Sequence, residues 1–155
     1  MSALGSRPSS PPDRLPGRRP AVPAVVWGRV EETRLLLRGL LRLHRFAVVL
    51  EASTRDDLAG IPAGSDPRIL VVDAEGGEAD WPQDLAVALR ERPELVAVVV
   101  LPRGVPAAEG RARFPAARAV VARPFAIHDL VAALDQAAEE PPSPPSSPVP
   151  SVPPR

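Results

Sequence analysis

Five short apolar runs, "AVVW" (24–27), "AVVL" (47–50), "ILVV" (69–72), "VAVVVL" (96–101) and "AVVA" (119–122), alternate along the chain with segments of helical character. Their apolarity is continuous instead of alternating, which is the pattern of strands covered on both faces, and such strands belong to a parallel sheet clad in helices. Between the first two runs, Leu36, Leu37, Leu40, Leu41 and Leu43 recur at helical spacing and predict a first helix. Gly39 interrupts that pattern at a cost of about 1 kcal/mol relative to Ala. Asp80 can cap a helix with Pro82 in its first turn, on which Trp81, Leu85, Ala88 and Leu89 share a face. Ile127, Leu130, Val131, Leu134 and Ala138 set the period of a last helix, with Asp129 near the positive end of its dipole. Two weaker helical segments, 54–59 and 107–113, follow the second and fourth runs. A strand–helix unit repeated five times with right-handed crossovers predicts a doubly wound α/β domain whose site lies at the carboxyl ends of the strands.

The material on either side of this pattern is different. Of the 22 prolines, six fall in residues 1–23 and eight in 141–155, so the α/β domain is expected over 24–140, between two disordered Pro-rich tails. The last six residues, "PSVPPR", match a Pro-x-x-Pro-x-Arg ligand for an SH3-type groove, a pattern that arises cheaply in Pro-rich sequence. With 155 residues and 45% hydrophobic content, the chain is sufficient for one core. It has no cysteine, which excludes disulfides and thiolate metal sites, and its longest apolar run, 95–101, is too short to cross a bilayer. Residues 1–23 lack the apolar stretch of a secretory signal, so a cytoplasmic location is expected. The formal net charge is zero, and all 19 basic residues are arginine.

The strand-end rule selects Gly28 and Arg29 after the first run, Asp73 after the third, Pro102 after the fourth, and Arg123 with Pro124 after the fifth. "RILVVD" ending in Asp73, "LRERPELVAVVVL" leading into the fourth strand, and "VVARPF" before the last helix resemble the receiver domain of bacterial response regulators. The resemblance covers nearly all of 24–140 and implies a five-stranded parallel sheet of order 2-1-3-4-5. It implies further that Asp73 occupies the phosphoacceptor position and that Arg123 stands for the family lysine, keeping its charge while replacing a compact ammonium with a planar fork. Pro124 matches the family proline, which implies a cis Arg123–Pro124 bond, and Phe125 would then cap the core beneath the last helix.

The departures from the family pattern are as informative. Gly28 and Arg29 fall at the acidic pair that holds Mg²⁺ in the family, and a one-residue slip would put Trp27 and Gly28 there instead; neither register offers a carboxylate. Magnesium requires hard oxygen ligands. Exchanging two negative charges for one positive, at about 5 Å from a dication in bulk-water screening, costs roughly 5 kcal/mol, so Mg²⁺ binding is expected to be weak or absent. Pro102 takes the place of the family hydroxyl, and Val120 stands where a switching aromatic is common. On this basis Arg29 and Arg123 are expected to flank Asp73 and hold its carboxyl ionised, well below the usual carboxylate range. Glu31 and Glu32 are read as first-turn acids of the first helix and not as displaced metal ligands.

Other chemistry finds little support. His44 and His128 lie far apart in sequence without clustered acids, no Gly-x-Ser-x-Gly elbow occurs, and "WGRVEE" after the first strand holds no phosphate-binding glycine pattern. Residues 103–123 hold five arginines against Glu109 alone, whereas 73–94 hold seven acids against two arginines. The basic region coincides with the family's helix 4, strand 5 and helix 5 face, where a protein partner or a second copy is expected to dock. No helix-turn-helix or aromatic interleaving suggests nucleic acid. The resulting expectation is an atypical, phosphorylation-independent receiver domain acting as a protein-interaction module, with no enzymatic activity. The alternatives are a true phosphoacceptor receiver using Asp73 and a small α/β enzyme.

Overall fold

The computed structural model describes residues 20–76 and 80–139, so most of both Pro-rich segments lies outside the described residues. Ten elements follow in order: β1 (Val22–Gly28), α1 (Glu31–Leu43), β2 (Phe46–Ala52), a 3-10 turn (Asp56–Gly60), β3 (Ile69–Asp73), α2 (Trp81–Glu91), β4 (Val96–Val100), α3 (Ala107–Arg113), β5 (Ala119–Val121) and α4 (Ile127–Glu139). The strands form one sheet in the order β2-β1-β3-β4-β5, with every neighbouring pair parallel. The five apolar runs are these five strands. Successive side chains point to opposite faces, so each run feeds two cores at once. Val25, Trp27, Leu70, Val72, Ala97 and Val99 pack beneath the 3-10 turn and α2. Ala24, Val26, Ile69, Val71, Val98 and Val100 pack beneath α1 and α4.

Several boundaries differ from the sequence expectation. The domain reaches back past Ala24 because Pro23 belongs to β1: it pairs with Ala47, and its carbonyl accepts the Arg68 N–H at 3.1 Å. A proline is tolerated there because it sits at the very start of the strand. β2 is an edge strand with half-buried residues at its centre, not one fully covered on both faces. The weak segment after β2 closes as a single 3-10 turn before Pro62, Gly64 and Pro67, residues poorly suited to extend a helix. Asp80 precedes α2 without a side-chain capping bond, and Pro82 lies in the first turn.

The leucine-rich α1 buries only Leu37 and Leu41, while Leu36 and Leu43 face solvent. In α4 the buried positions are Leu130, Leu134 and Ala137, and Ile127 is half exposed. Both shifts have one cause: the stripe that touches a sheet is narrower than the stripe that periodicity selects. No described helix is long and apolar enough to cross a membrane.

Candidate functional site

Parallel register brings the strand ends together. Gly28 pairs with Asp73 across β1 and β3, and Asp73 pairs with Val100 across β3 and β4. Asp73 is fully buried and is the one buried charged residue among those described. Its Oδ1 accepts an N–H from Arg123 at 2.5 Å and the Glu75 backbone N–H at 3.3 Å, while its Oδ2 has no partner. Arg123 enters just after β5, where the cis bond to Pro124 turns the chain toward α4. Its side chain is 12% exposed, and its second terminal nitrogen donates to Glu75 Oε2. The planar guanidinium therefore spans two acids, a geometry that a lysine ammonium reproduces poorly.

Glu75, two residues beyond Asp73, went unrecognised in the sequence as part of this site. Its signal was present: the acid at i+2 points the same way as Asp73 where the chain stays extended. Arg34 was missed as well. It reaches back from the first turns of α1, and its guanidinium donates to the Gly28 carbonyl at 2.6 Å. Two acids and two guanidinium groups thus meet at the strand ends.

Arg29 is not one of the groups on Asp73. It donates to Asp84 at 3.3 Å, and its guanidinium lies 4.8 Å from the centre of the Trp81 ring. Stacking on an aromatic and pairing with an α2 carboxylate offer Arg29 a half-solvated seat, whereas the Asp73 side is sealed. The charge balance at Asp73 also differs from expectation. Burial pushes its carboxyl above the usual value, and the Arg123 guanidinium and the Glu75 N–H pull it back only in part. The expectation of a carboxyl well below the usual range is therefore overturned, because desolvation outweighs the single cation in contact.

The remaining positions sit as follows. Pro102 is buried just beyond β4, after Val100 and Leu101, so no hydroxyl occupies any of these three places. Val120 lies half-buried in β5. Phe125 packs against the α1–α4 core and, with Thr33, Leu36, Arg103 and Pro124, lines a groove of about 510 Å³ beside Arg123. His44 and His128 border a different, shallow depression, and no group of three or more His, Asp or Glu among the described residues is placed to hold a metal.

A receiver-type Mg²⁺ site does not fit these residues. A Cβ built on Gly28 would lie 3.0 Å from the Asp73 Cβ and 3.3 Å from the Arg34 Cγ, so a carboxylate side chain there would need both neighbours to give way. Among the described residues, Asp73 Oδ2 is the one buried carboxylate oxygen without a hydrogen-bond partner, and both Asp73 and Glu75 already face a fixed cation. One uncommitted oxygen beside a guanidinium is a poor site for an ion that demands six oxygen ligands.

No protein-family model and no curated protein matches the sequence. Solved structures do. The RcsB response regulator of Salmonella typhimurium superimposes with a TM-score of 0.63 at 18% identity, over 79% of this chain and 64% of that one. The signal receiver domain of an HD domain-containing protein from Pseudomonas fluorescens Pf-5 gives 0.59 at 18% identity, over 79% and 96%. The PhyR response regulator REC domain of Erythrobacter litoralis gives 0.61 at 15% identity, over 83% and 98%. The chain spans less than two thirds of the RcsB chain and nearly the whole of the two isolated receiver domains. The described residues adopt the receiver-domain fold, in the strand order that the resemblance implied.

Proposed function

We propose that this chain is a receiver-type domain whose switch site is closed by its own side chains, and that it works as a phosphorylation-independent protein-interaction module in cytoplasmic bacterial signalling. The observation that carries this reading is the Arg123 clamp, which holds a buried Asp73 and Glu75 together through one guanidinium. Phosphorylation of a receiver aspartate needs an accessible, ionised carboxylate with a metal beside it. Here the carboxylate is fully buried, burial favours its neutral form, and the acidic-pair positions hold an arginine and, packed tightly against Asp73, a glycine.

The surface offered to a partner is the α3–β5–α4 face. Arg111 is exposed there, and Arg113 pairs with Glu109 on α3 itself. Arg123 does not contribute, being drawn inward to Asp73. A partner presenting acidic side chains is the complementary choice. A second reading, that Asp73 is a working phosphoacceptor, draws on its unpartnered Oδ2, the oxygen that would attack phosphorus. An enzymatic reading draws on nothing comparable: the groove beside Arg123 is largely aliphatic and aromatic and holds no candidate general base.

The test is incubation with radiolabelled acetyl phosphate and Mg²⁺, with Asp73→Asn as control and magnesium binding followed by calorimetry. No label above the control and no heat of magnesium binding are expected. Label that depends on Asp73 and on the metal would replace this reading with the phosphoacceptor one.

A further inference from the structure

Three separate segments build the groove beside Arg123. Helix α1 supplies one side, the turn after β4 the rim, and the link between β5 and α4 the other side. Its volume of about 510 Å³ falls within the roughly 300–1,000 Å³ of sites that take small organic molecules. The sides are apolar: Leu36 and Leu37 belong to α1, and Pro124 and Phe125 to the link. Leu36 is 58% exposed. In a concave site, such a side chain is surface that the hydrocarbon part of a ligand removes from water.

Charge selects the other end of that ligand. Two of the eight lining residues are arginines and none is an acid. Arg123 is already met by Asp73 and Glu75, so it offers a bound molecule little. Arg103 is not met: it is exposed, and among the described residues no acid pairs with it.

A tight turn fixes where Arg103 stands. The Val105 N–H donates to the Pro102 carbonyl at 3.3 Å, and Gly104, in the third place of the turn, has a φ of 84°. Arg103, in the second place, has no positive φ. This is type II geometry, whose third place glycine enters without steric cost. The arginine is thereby held at the rim of an apolar groove, where it can present its fork to an anion.

One guanidinium balances one negative charge. A phosphate ester carries nearly two, and the excess would sit in a groove whose inner end adjoins Asp73 and Glu75. A carboxylate carries one.

We propose that this groove binds a small carboxylic acid with an apolar body, its carboxylate on Arg103 and its hydrocarbon part against Leu36, Leu37, Pro124 and Phe125. Binding makes no use of the Asp73 carboxylate, so it stands whether or not Asp73 accepts phosphate.

Amide NMR of the ¹⁵N-labelled full chain, titrated with octanoate, tests it, with 1-octanol and octyltrimethylammonium as neutral and cationic compounds of equal length. Octanoate is expected to cause saturable shifts centred on residues 33–37, 103–105 and 123–125. It should bind roughly fivefold more tightly than octanol, as an exposed ion pair allows, and the ammonium compound should bind more weakly than either. Arg103→Glu should weaken octanoate roughly tenfold while leaving octanol unchanged, a split that an indirect structural effect would not give. Leu36→Gln should weaken acid and alcohol alike. Both substituted side chains are exposed, so both variants should fold, and their spectra show it directly. No saturable shifts in the groove, octanol binding as tightly as octanoate, or an octanoate affinity unmoved by Arg103→Glu overturns the proposal.

Discussion

Replacing Arg123 by Met isolates what the clamp contributes. The substitution keeps an unbranched stem and removes the guanidinium bonded to Asp73 and Glu75. Breaking a buried ion pair by deleting one partner costs about 3–5 kcal/mol, because the charge left behind is uncompensated. Asp73 has an escape from the upper end of that range: it can take up a proton. From the ordinary aspartate value of 3.8, forced protonation costs about 1.4 kcal/mol per pH unit, so at pH 7 the Asp73 penalty cannot exceed about 4.4 kcal/mol. At pH 5 the ceiling drops to about 1.6 kcal/mol. Glu75 is one-third exposed and water screens much of its loss.

The expected outcome is a destabilisation of about 3 kcal/mol at pH 7 that shrinks to less than about 1.6 kcal/mol at pH 5. Urea unfolding followed by far-UV circular dichroism at both pH values measures it, for the wild type, Arg123→Met, Asp73→Asn and the double variant. Most of the loss should disappear in the double variant, since an amide needs no cation. A loss of equal size at both pH values, or one that survives intact beside Asp73→Asn, would refute the idea that Arg123 is there to neutralise Asp73.

Asp73→Asn alone should leave the domain more stable than the wild type at neutral pH. With its carboxyl raised above the ordinary value, Asp73 contributes stability that is full below about pH 4 and is lost as pH climbs through the raised value. The wild-type-minus-variant difference in urea midpoint should accordingly fall with rising pH, and a difference that rises would contradict the raised carboxyl. Arg29→Asp should not create a magnesium site, because position 29 faces Trp81 and Asp84 and not Asp73; a calorimetric magnesium signal in that variant would show the assignment to be mistaken. Gly110→Ala, which by helix propensity alone should help α3, is expected to cost about 1–3 kcal/mol, because the new methyl would overlap the Leu101 side chain. A thermal midpoint at or above the wild type would count against that packing.

The sheet was legible because fully covered strands leave a one-dimensional trace, an unbroken apolar run, and all five runs became strands. Strand order and the cis Arg123–Pro124 bond were legible only through the family resemblance, since neither follows from periodicity. What escaped the sequence depended on depth and direction. The ionisation of Asp73 turns on whether desolvation outweighs one neighbouring guanidinium, and burial of that kind is a property of the assembled sheet. The direction of Arg29 was set by Trp81, more than fifty residues away. Five leucines at helical spacing announced α1 but not its phase, because both the face toward the sheet and part of the face toward solvent carry them. Arg34 left no trace that separates it from any surface arginine, as its partner is a backbone carbonyl.

The chain holds two tryptophans and no tyrosine, and both indoles belong to one core cluster, with ring centres 4.8 Å apart in an edge-to-face contact. Trp81 also donates its indole N–H to the Gly76 carbonyl in the loop after β3 and lies beneath Arg29. Intrinsic ultraviolet emission from this protein therefore originates beside the candidate site and nowhere else. Any ligand, partner or substitution that loosens the loop between β3 and α2 will register as a change in colour and intensity, without a dye being attached.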